Sequence, residues 1–242
     1  MAIVRTIRRA LHRAGVDVVR YPGLGPAVML VRMLDHAGVE TVIDVGANGG
    51  RYGREIRDAG WTGSIVSFEP LSEPFARLET EARRDALWTA HRYALGDRDE
   101  TARMHIANNA GESSSMLDML DGHRAAAPGI GYVGDEEVAV RRLDGLTIAE
   151  IASHERCFLK IDTQGFERRV LEGATRFVAD RCVGVQLELS LVPMYSEGMS
   201  LQDGAAFAAQ HGLEIAALYP GFTDITTGRM LQLDAVYLRP ES

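Results

Sequence analysis

The stretch Thr41-Val42-Ile43-Asp44-Val45-Gly46-Ala47-Asn48-Gly49-Gly50 restricts this chain to few folds. Up to Asp44 it is β-branched and apolar, the composition of a strand buried on both faces. Past Val45 every residue is small, so the backbone can approach a ligand closely and can turn through positive φ at Gly or Asn. A helix is predicted from about Tyr52, and its first amides face the turn, where they favour a negative or strongly polar group. The dinucleotide fingerprint G-x-G-x-x-G fits poorly, because the third position from Gly46 is Asn48 and the sixth is Arg51. The observed Asp-x-Gly-x-Asn-x-Gly spacing sets an acid, Asp44, ahead of the turn. An acid there repels a pyrophosphate but can hold an ammonium group. A ligand carrying both an ammonium and a carboxylate suits the loop, as does the methionine half of S-adenosylmethionine (SAM). A strand-to-helix turn that binds nothing is the plain alternative.

With 242 residues and 46% hydrophobic content, the chain has the size of one α/β domain with a full core. A net charge of −8 argues against a nucleic-acid partner. The two cysteines, Cys157 and Cys182, sit in apolar runs and form neither a disulfide framework nor a metal spacing, so a reducing, cytoplasmic location is expected. No apolar run approaches the ~20 residues that span a bilayer. Residues 1–40 read as an N-terminal helical segment ahead of a domain over 41–242. Arg5, Arg8, Arg9, Arg13 and Arg20 there form either the solvated face of a packed helix or an amphipathic, transit-like segment.

A second strand over 64–68 ends on Glu69-Pro70. Glu69 lies about 25 residues past the glycine turn, where doubly wound nucleotide sites place an acid on the ribose hydroxyls; an ordinary charged strand end is the alternative. A third strand over 88–95 stops at Gly96-Asp97. Asp97 is placed to accept from an adenine amine, although Gly-Asp is also good turn chemistry. Residues 101–142 read as an insertion, with strands at 104–107 and 137–141. The polar stretch between them, with Asn108, Asn109 and Ser113 to Ser115, is expected to be mobile and to close over a ligand. A fourth strand ends on Asp162 and a fifth on Glu188, and helices over 166–173 and 201–211 and strands over 213–218 and 232–238 complete the pattern. Acids at the carboxyl ends of parallel strands line one crevice, although Asp162 also suits the N-cap of the next helix.

Taken together, these pieces resemble the FkbM family of SAM-dependent methyltransferases. The resemblance covers roughly residues 41–195. It rests on Asp44-Val45-Gly46-Ala47-Asn48-Gly49-Gly50, Phe68-Glu69-Pro70, Ala94-Leu95-Gly96-Asp97 and Leu143-Asp144-Gly145-Leu146. Most distinctive are Leu159-Lys160-Ile161-Asp162-Thr163-Gln164-Gly165-Phe166-Glu167 and Val170-Leu171-Glu172-Gly173-Ala174. Gln164 departs from the family, which usually has Glu there, and this weakens any metal role at that position. The resemblance implies a Rossmann-like class I methyltransferase: a mostly parallel seven-stranded sheet with helices on both faces and a small β insertion. It also implies O-methylation of a hydroxyl on a small-molecule acceptor, a sugar or secondary metabolite. Carried over by position, Gly46, Asn48 and Gly50 meet the methionine half of SAM, Glu69 the ribose, and Leu95 and Gly96 the adenine; Asp44, Pro70 and Asp97 are further candidate cofactor contacts. Asp162 then lies near the transferred methyl.

Because SAM is already activated, the protein mainly aligns the acceptor oxygen and removes its proton. Asp162 and Glu188 are the candidate bases, and a divalent cation such as Mg²⁺ can share that task. His91, His105 and His123 are weaker candidates, and Tyr195 is a candidate for the acceptor wall. A homo-oligomer is compatible with the sequence. An NAD-dependent oxidoreductase and a non-catalytic SAM-binding module are the rival readings.

Overall fold

The computed structural model describes residues 25–120, 126–127, 129–152 and 154–240; the basic N-terminal stretch up to residue 24 and His123 lie outside them. Helix α1 (Pro26–His36) begins on a proline, whose missing N–H costs nothing in a first turn, and buries Leu30, Val31 and Leu34. Strand β1 (Thr41–Val45) is buried along its whole length. It sends Val42 into one half of the core and Ile43 and Val45 into the other, the period-2 alternation of a strand covered on both sides. Helix α2 (Arg51–Asp58), strand β2 (Ser64–Phe68), helix α3 (Ser72–Ala82) and strand β3 (Trp88–His91) follow.

The expected strand over 88–95 is in fact two. β3 runs beside β2, and their last bond is donated by the Glu69 N–H to the His91 carbonyl. The next N–H due on that ladder, that of Leu71, is bonded to Glu69 Oε1 instead, so the pairing ends there. Strand β4 (Ala94–Leu95) instead joins β5 (Glu100–Ala107) and β6 (Tyr132–Arg141) in a separate three-stranded sheet of order β4-β6-β5. Both insertion strands run longer than expected. A 3₁₀ turn at Leu143–Gly145, helix α4 (Ala149–Ala152) and strand β7 (Cys157–Ile161) return the chain to the main sheet. After α5 (Glu167–Glu172) comes an unexpected helix, α6 (Thr175–Asp180). Its N-terminal amides, those of Arg176 and Phe177, donate to the Asp144 carboxylate at 3.0 and 2.9 Å. Strand β8 (Cys182–Ser190), helix α7 (Leu201–Gln210), β9 (Glu214–Pro220) and β10 (Gln232–Leu238) complete the chain. Ser200 and Asp203 form a reciprocal capping box at the start of α7.

The seven-stranded sheet has the order β3-β2-β1-β7-β8-β10-β9, with β10 antiparallel to both of its neighbours and the other pairs parallel. α1, α2 and α3 pack on one face, and α4 to α7 on the other. Strand order reverses at β1, which lies between β2 and β7. In doubly wound sheets a crevice opens beyond the carboxyl ends of the strands at that point. The insertion lies over this end, where Ala107 and Met119 pack with Met194, Tyr195 and Leu231. Within the polar stretch expected to be mobile, the Leu120 N–H donates to the Met194 carbonyl.

Candidate active site

Gly46 ends β1 at φ 76°, and its N–H donates to the Phe68 carbonyl at 3.0 Å. A side chain at Gly46 would collide with the Asp162 carbonyl oxygen, so the loops after β1 and β7 touch backbone to backbone. Asn48 also takes positive φ, 46°; its N–H donates to Glu69 Oε2 at 2.9 Å and its Nδ2 to the Ala110 carbonyl at 3.2 Å. Glu69 is 5% exposed, and its Oε1 accepts from the Leu71 N–H at 2.9 Å. Burial pushes the Glu69 carboxyl up to about 7, against the pull of these two backbone N–H groups. Each of its oxygens keeps a second lone pair for a ligand.

A cleft of about 650 Å³ opens here. Of the residues expected at the site, Gly46, Asn48, Glu69, Pro70, Leu95, Asp162 and Glu188 line it. Asp44 does not. Its Oδ1 accepts from Lys160 Nζ at 3.0 Å and its Oδ2 from Ser67 Oγ at 3.2 Å, so the acid expected to meet a ligand ammonium is committed to a lysine inside the sheet. Register explains this: Ser67, Asp44 and Lys160 are side-by-side partners on β2, β1 and β7, all facing the same layer. Asp97 also lies off the cleft, with its carboxylate toward Arg98 at 3.1 Å and Arg169 at 3.9 Å. Gly96 backs onto Val140 and Phe166, and Gly50 onto Leu78 and Trp88 at the head of α2.

Asp162 and Glu188 meet through Gln164. The Gln164 amide nitrogen donates to Asp162 Oδ1 at 2.8 Å and to Glu188 Oε2 at 2.9 Å. Gln232 Nε2 adds a bond to Glu188 Oε2 at 2.9 Å. Burial, and then the Asp162 charge beside it, push the Glu188 carboxyl well above the usual carboxylate range. Asp234, the cross-strand partner of Glu188, is raised to about 6, mainly by burial. Asp162 is more open, with its side chain 34% exposed and its Oδ2 3.8 Å from Lys160 Nζ. Burial pulls Lys160 down, but Asp44 and Asp162 more than offset it, so the ammonium is held charged.

The profile of the methyltransferase FkbM domain matches residues 44–215, from the acid of β1 into β9. The chain belongs to the FkbM methyltransferase family. An FkbM methyltransferase uses SAM, and the residues around this cleft fit that cofactor. The turn has no room for a Cβ at Gly46, and a buried acid with free lone pairs stands across from it. No curated protein sequence matches the chain significantly. Among solved structures, TehB from Haemophilus influenzae is 9% identical with a TM-score of 0.47; the match covers 91% of this chain and spans only 64% of TehB. The magnesium protoporphyrin IX methyltransferase of Synechocystis PCC 6803, solved with bound SAM, is 10% identical with a TM-score of 0.47 and coverages of 88% and 78%. The precorrin-6y C5,15-methyltransferase of Geobacter metallireducens GS-15 is 12% identical with a TM-score of 0.46 and coverages of 89% and 87%.

The distinctive FkbM segment on β7 and α5 now has a physical account. Lys160 neutralises the buried Asp44. Glu167, itself buried, accepts from the Thr163 and Gly165 N–H groups, both at 3.0 Å, and so shapes the loop that carries Asp162. Tyr195 does not line the cleft; it is buried behind Gln164, and its hydroxyl donates to Gln164 Oε1 at 2.8 Å. The serines are engaged inside the insertion and across to the loop after β7. Ser114 Oγ accepts from the Ala107 N–H, and Ser115 Oγ donates to the Gln164 carbonyl at 2.7 Å. His105 pairs with Asp135 at 2.6 Å and stacks on Tyr132, while His91 stacks on Phe68. Lys160, Asp234 and Gln232 line the cleft without having been singled out as site residues. Their signal was there to read: a lysine in Cys157–Ile161 and an acid in Gln232–Leu238 are polar residues in buried apolar strands, and such residues need partners.

Proposed function

We propose that this FkbM methyltransferase moves the SAM methyl group to a hydroxyl of a small polar acceptor, a sugar or a secondary metabolite, with Asp162 as the base. The observation that carries this reading is Asp162 itself. It is a partly exposed acid just past the end of β7, across the glycine turn from Glu69, in a cleft that both acids line. SAM, when bound, supplies a methyl already activated on a sulfonium. Gly46, Asn48 and the start of α2 form the bed for its methionine half, and Glu69 accepts from its ribose hydroxyls. Leu95 lies along the adenine. Residues 41–242 then act as one catalytic domain, with 101–142 lying over the site.

What remains for the protein is to orient an acceptor hydroxyl and take its proton. A sugar hydroxyl is a weak acid, so its proton must go to a base within hydrogen-bond reach as the oxygen attacks. Glu188 is disfavoured for that task, because burial keeps its own proton on. Asp162 is oriented by Gln164 and backed by Lys160, with a face open to the cleft. The test is Asp162→Asn, which keeps the shape and removes the carboxylate. SAM affinity by calorimetry should stay within a few-fold of the parent's. Methyl transfer to a panel of glycosides should fall by about 10²–10⁴, the usual contribution of a positioned base. A nearly active Asp162→Asn, with the loss appearing in Glu188→Gln, would move the base to β8.

A further inference from the structure

Gln164 is held on every side. Its backbone has φ 55°, a region in which residues other than glycine are uncommon, and its carbonyl accepts from Ser115 Oγ. Both amide hydrogens are spent on carboxylates, those of Asp162 and Glu188, and Oε1 accepts from Tyr195. With acids on one side and a hydroxyl donor on the other, this amide orientation gives every polar atom a complementary partner; the flipped one would set oxygen against carboxylate. A divalent cation shared by Asp162 and Glu188 needs oxygen ligands converging at roughly 2.0–2.6 Å. Here the space between them presents N–H groups, Gln232 adds another donor on Glu188, and Lys160 already brings a positive charge to Asp162. With the amide in this orientation the donor set does not fit Mg²⁺.

We propose that Gln164 is a positioning residue whose amide clamps Asp162 and Glu188 and stands where a bridging divalent cation would sit, so that this site transfers its methyl group without a metal. The catalytic half rests on the reading of Asp162 as the base. The clamp can be tested with neither SAM nor acceptor present, so its failure is distinguishable from the failure of that reading.

The experiment measures Mn²⁺ binding by calorimetry and electron paramagnetic resonance in the full chain. The parent should show no stoichiometric binding at millimolar Mn²⁺. Gln164→Glu replaces the amide with a third carboxylate and should bind one Mn²⁺ about tenfold or more tightly than the parent. Stoichiometric Mn²⁺ on the parent that disappears in Asp162→Asn would overturn the proposal. So would a folded Gln164→Glu that binds no more tightly than the parent. Gln164→Met fills similar space without donors and covers the case in which the glutamate variant does not fold. Carboxyl carbon NMR should then show Glu188 titrating at higher pH than in the parent, because a bond to its charged form is lost. An unchanged titration would mean that the amide is not a clamp.

Discussion

Glu69 holds its proton to about pH 7 in the ligand-free protein because it is buried, although two backbone N–H groups favour its charged form. Its folded value lies above its ordinary value of 4.5, so folding takes up a proton between the two. The stability this gives is fully present below about pH 4.5 and is lost as pH rises through about 7, a change on the order of 3 kcal/mol. Glu69→Gln should remove that part of the pH dependence, which urea unfolding across the range would measure. Ribose hydroxyls donating to the carboxylate would favour its charged form, so SAM binding near neutrality should release a proton. Calorimetry in buffers of different ionisation enthalpy would read this release. Glu69→Ala should abolish it and weaken binding by about 1–3 kcal/mol. At this scale the acids were legible as breaks in apolar runs, but only Glu69 and Asp162 follow a strand's last residue. Asp44 lies inside β1, and Glu188, expected to end its strand, lies two residues short of the end of β8. The partners of these acids were not legible. The distance from Asp44 to Lys160 depends on β1 and β7 lying side by side, which no local pattern in either strand specifies.

Among the elements, the core strands were readable because each is a short, mostly apolar run punctuated by Gly, Pro or a polar residue, and β10 has the expected bounds, Gln232–Leu238. The boundary inside 88–95 was hidden. What ends its pairing lies on the neighbouring strand's exit, where the Leu71 N–H turns back onto Glu69 Oε1. α6 was missed for a similar reason: its capping acid, Asp144, sits 32 or 33 residues away on a different turn. The insertion reaches the site through Ser115, which is fully buried and whose hydroxyl supports the Gln164 carbonyl while accepting from the Leu117 N–H. Ser115→Ala strands both groups and should cost about 1–3 kcal/mol in chemical denaturation. Turnover should fall further than SAM affinity does, because the loop that is loosened carries Asp162. Equal losses in both would mean that the insertion serves the cofactor instead.

For the molecule as a whole, the ion pair of Lys160 and Asp44 ties the two central strands together beneath the cleft, with both side chains buried. Lys160→Met leaves Asp44 charged and unpaired and should destabilise the fold by about 3–5 kcal/mol, whereas the double variant with Asp44→Leu should recover much of the loss. Denaturation midpoints of the two variants would show it. The partners are 116 residues apart, and this separation bears on how the chain is born. A ribosome adding about 5–20 residues per second delivers β1 on the order of ten seconds before β7. Through that interval β1, an interior strand of the finished sheet, is an edge, with an unneutralised acid on its flank. A nascent chain stalled before Ile161 should therefore be cut readily by protease within Thr41–Val45, and resistance there should arrive together with β7.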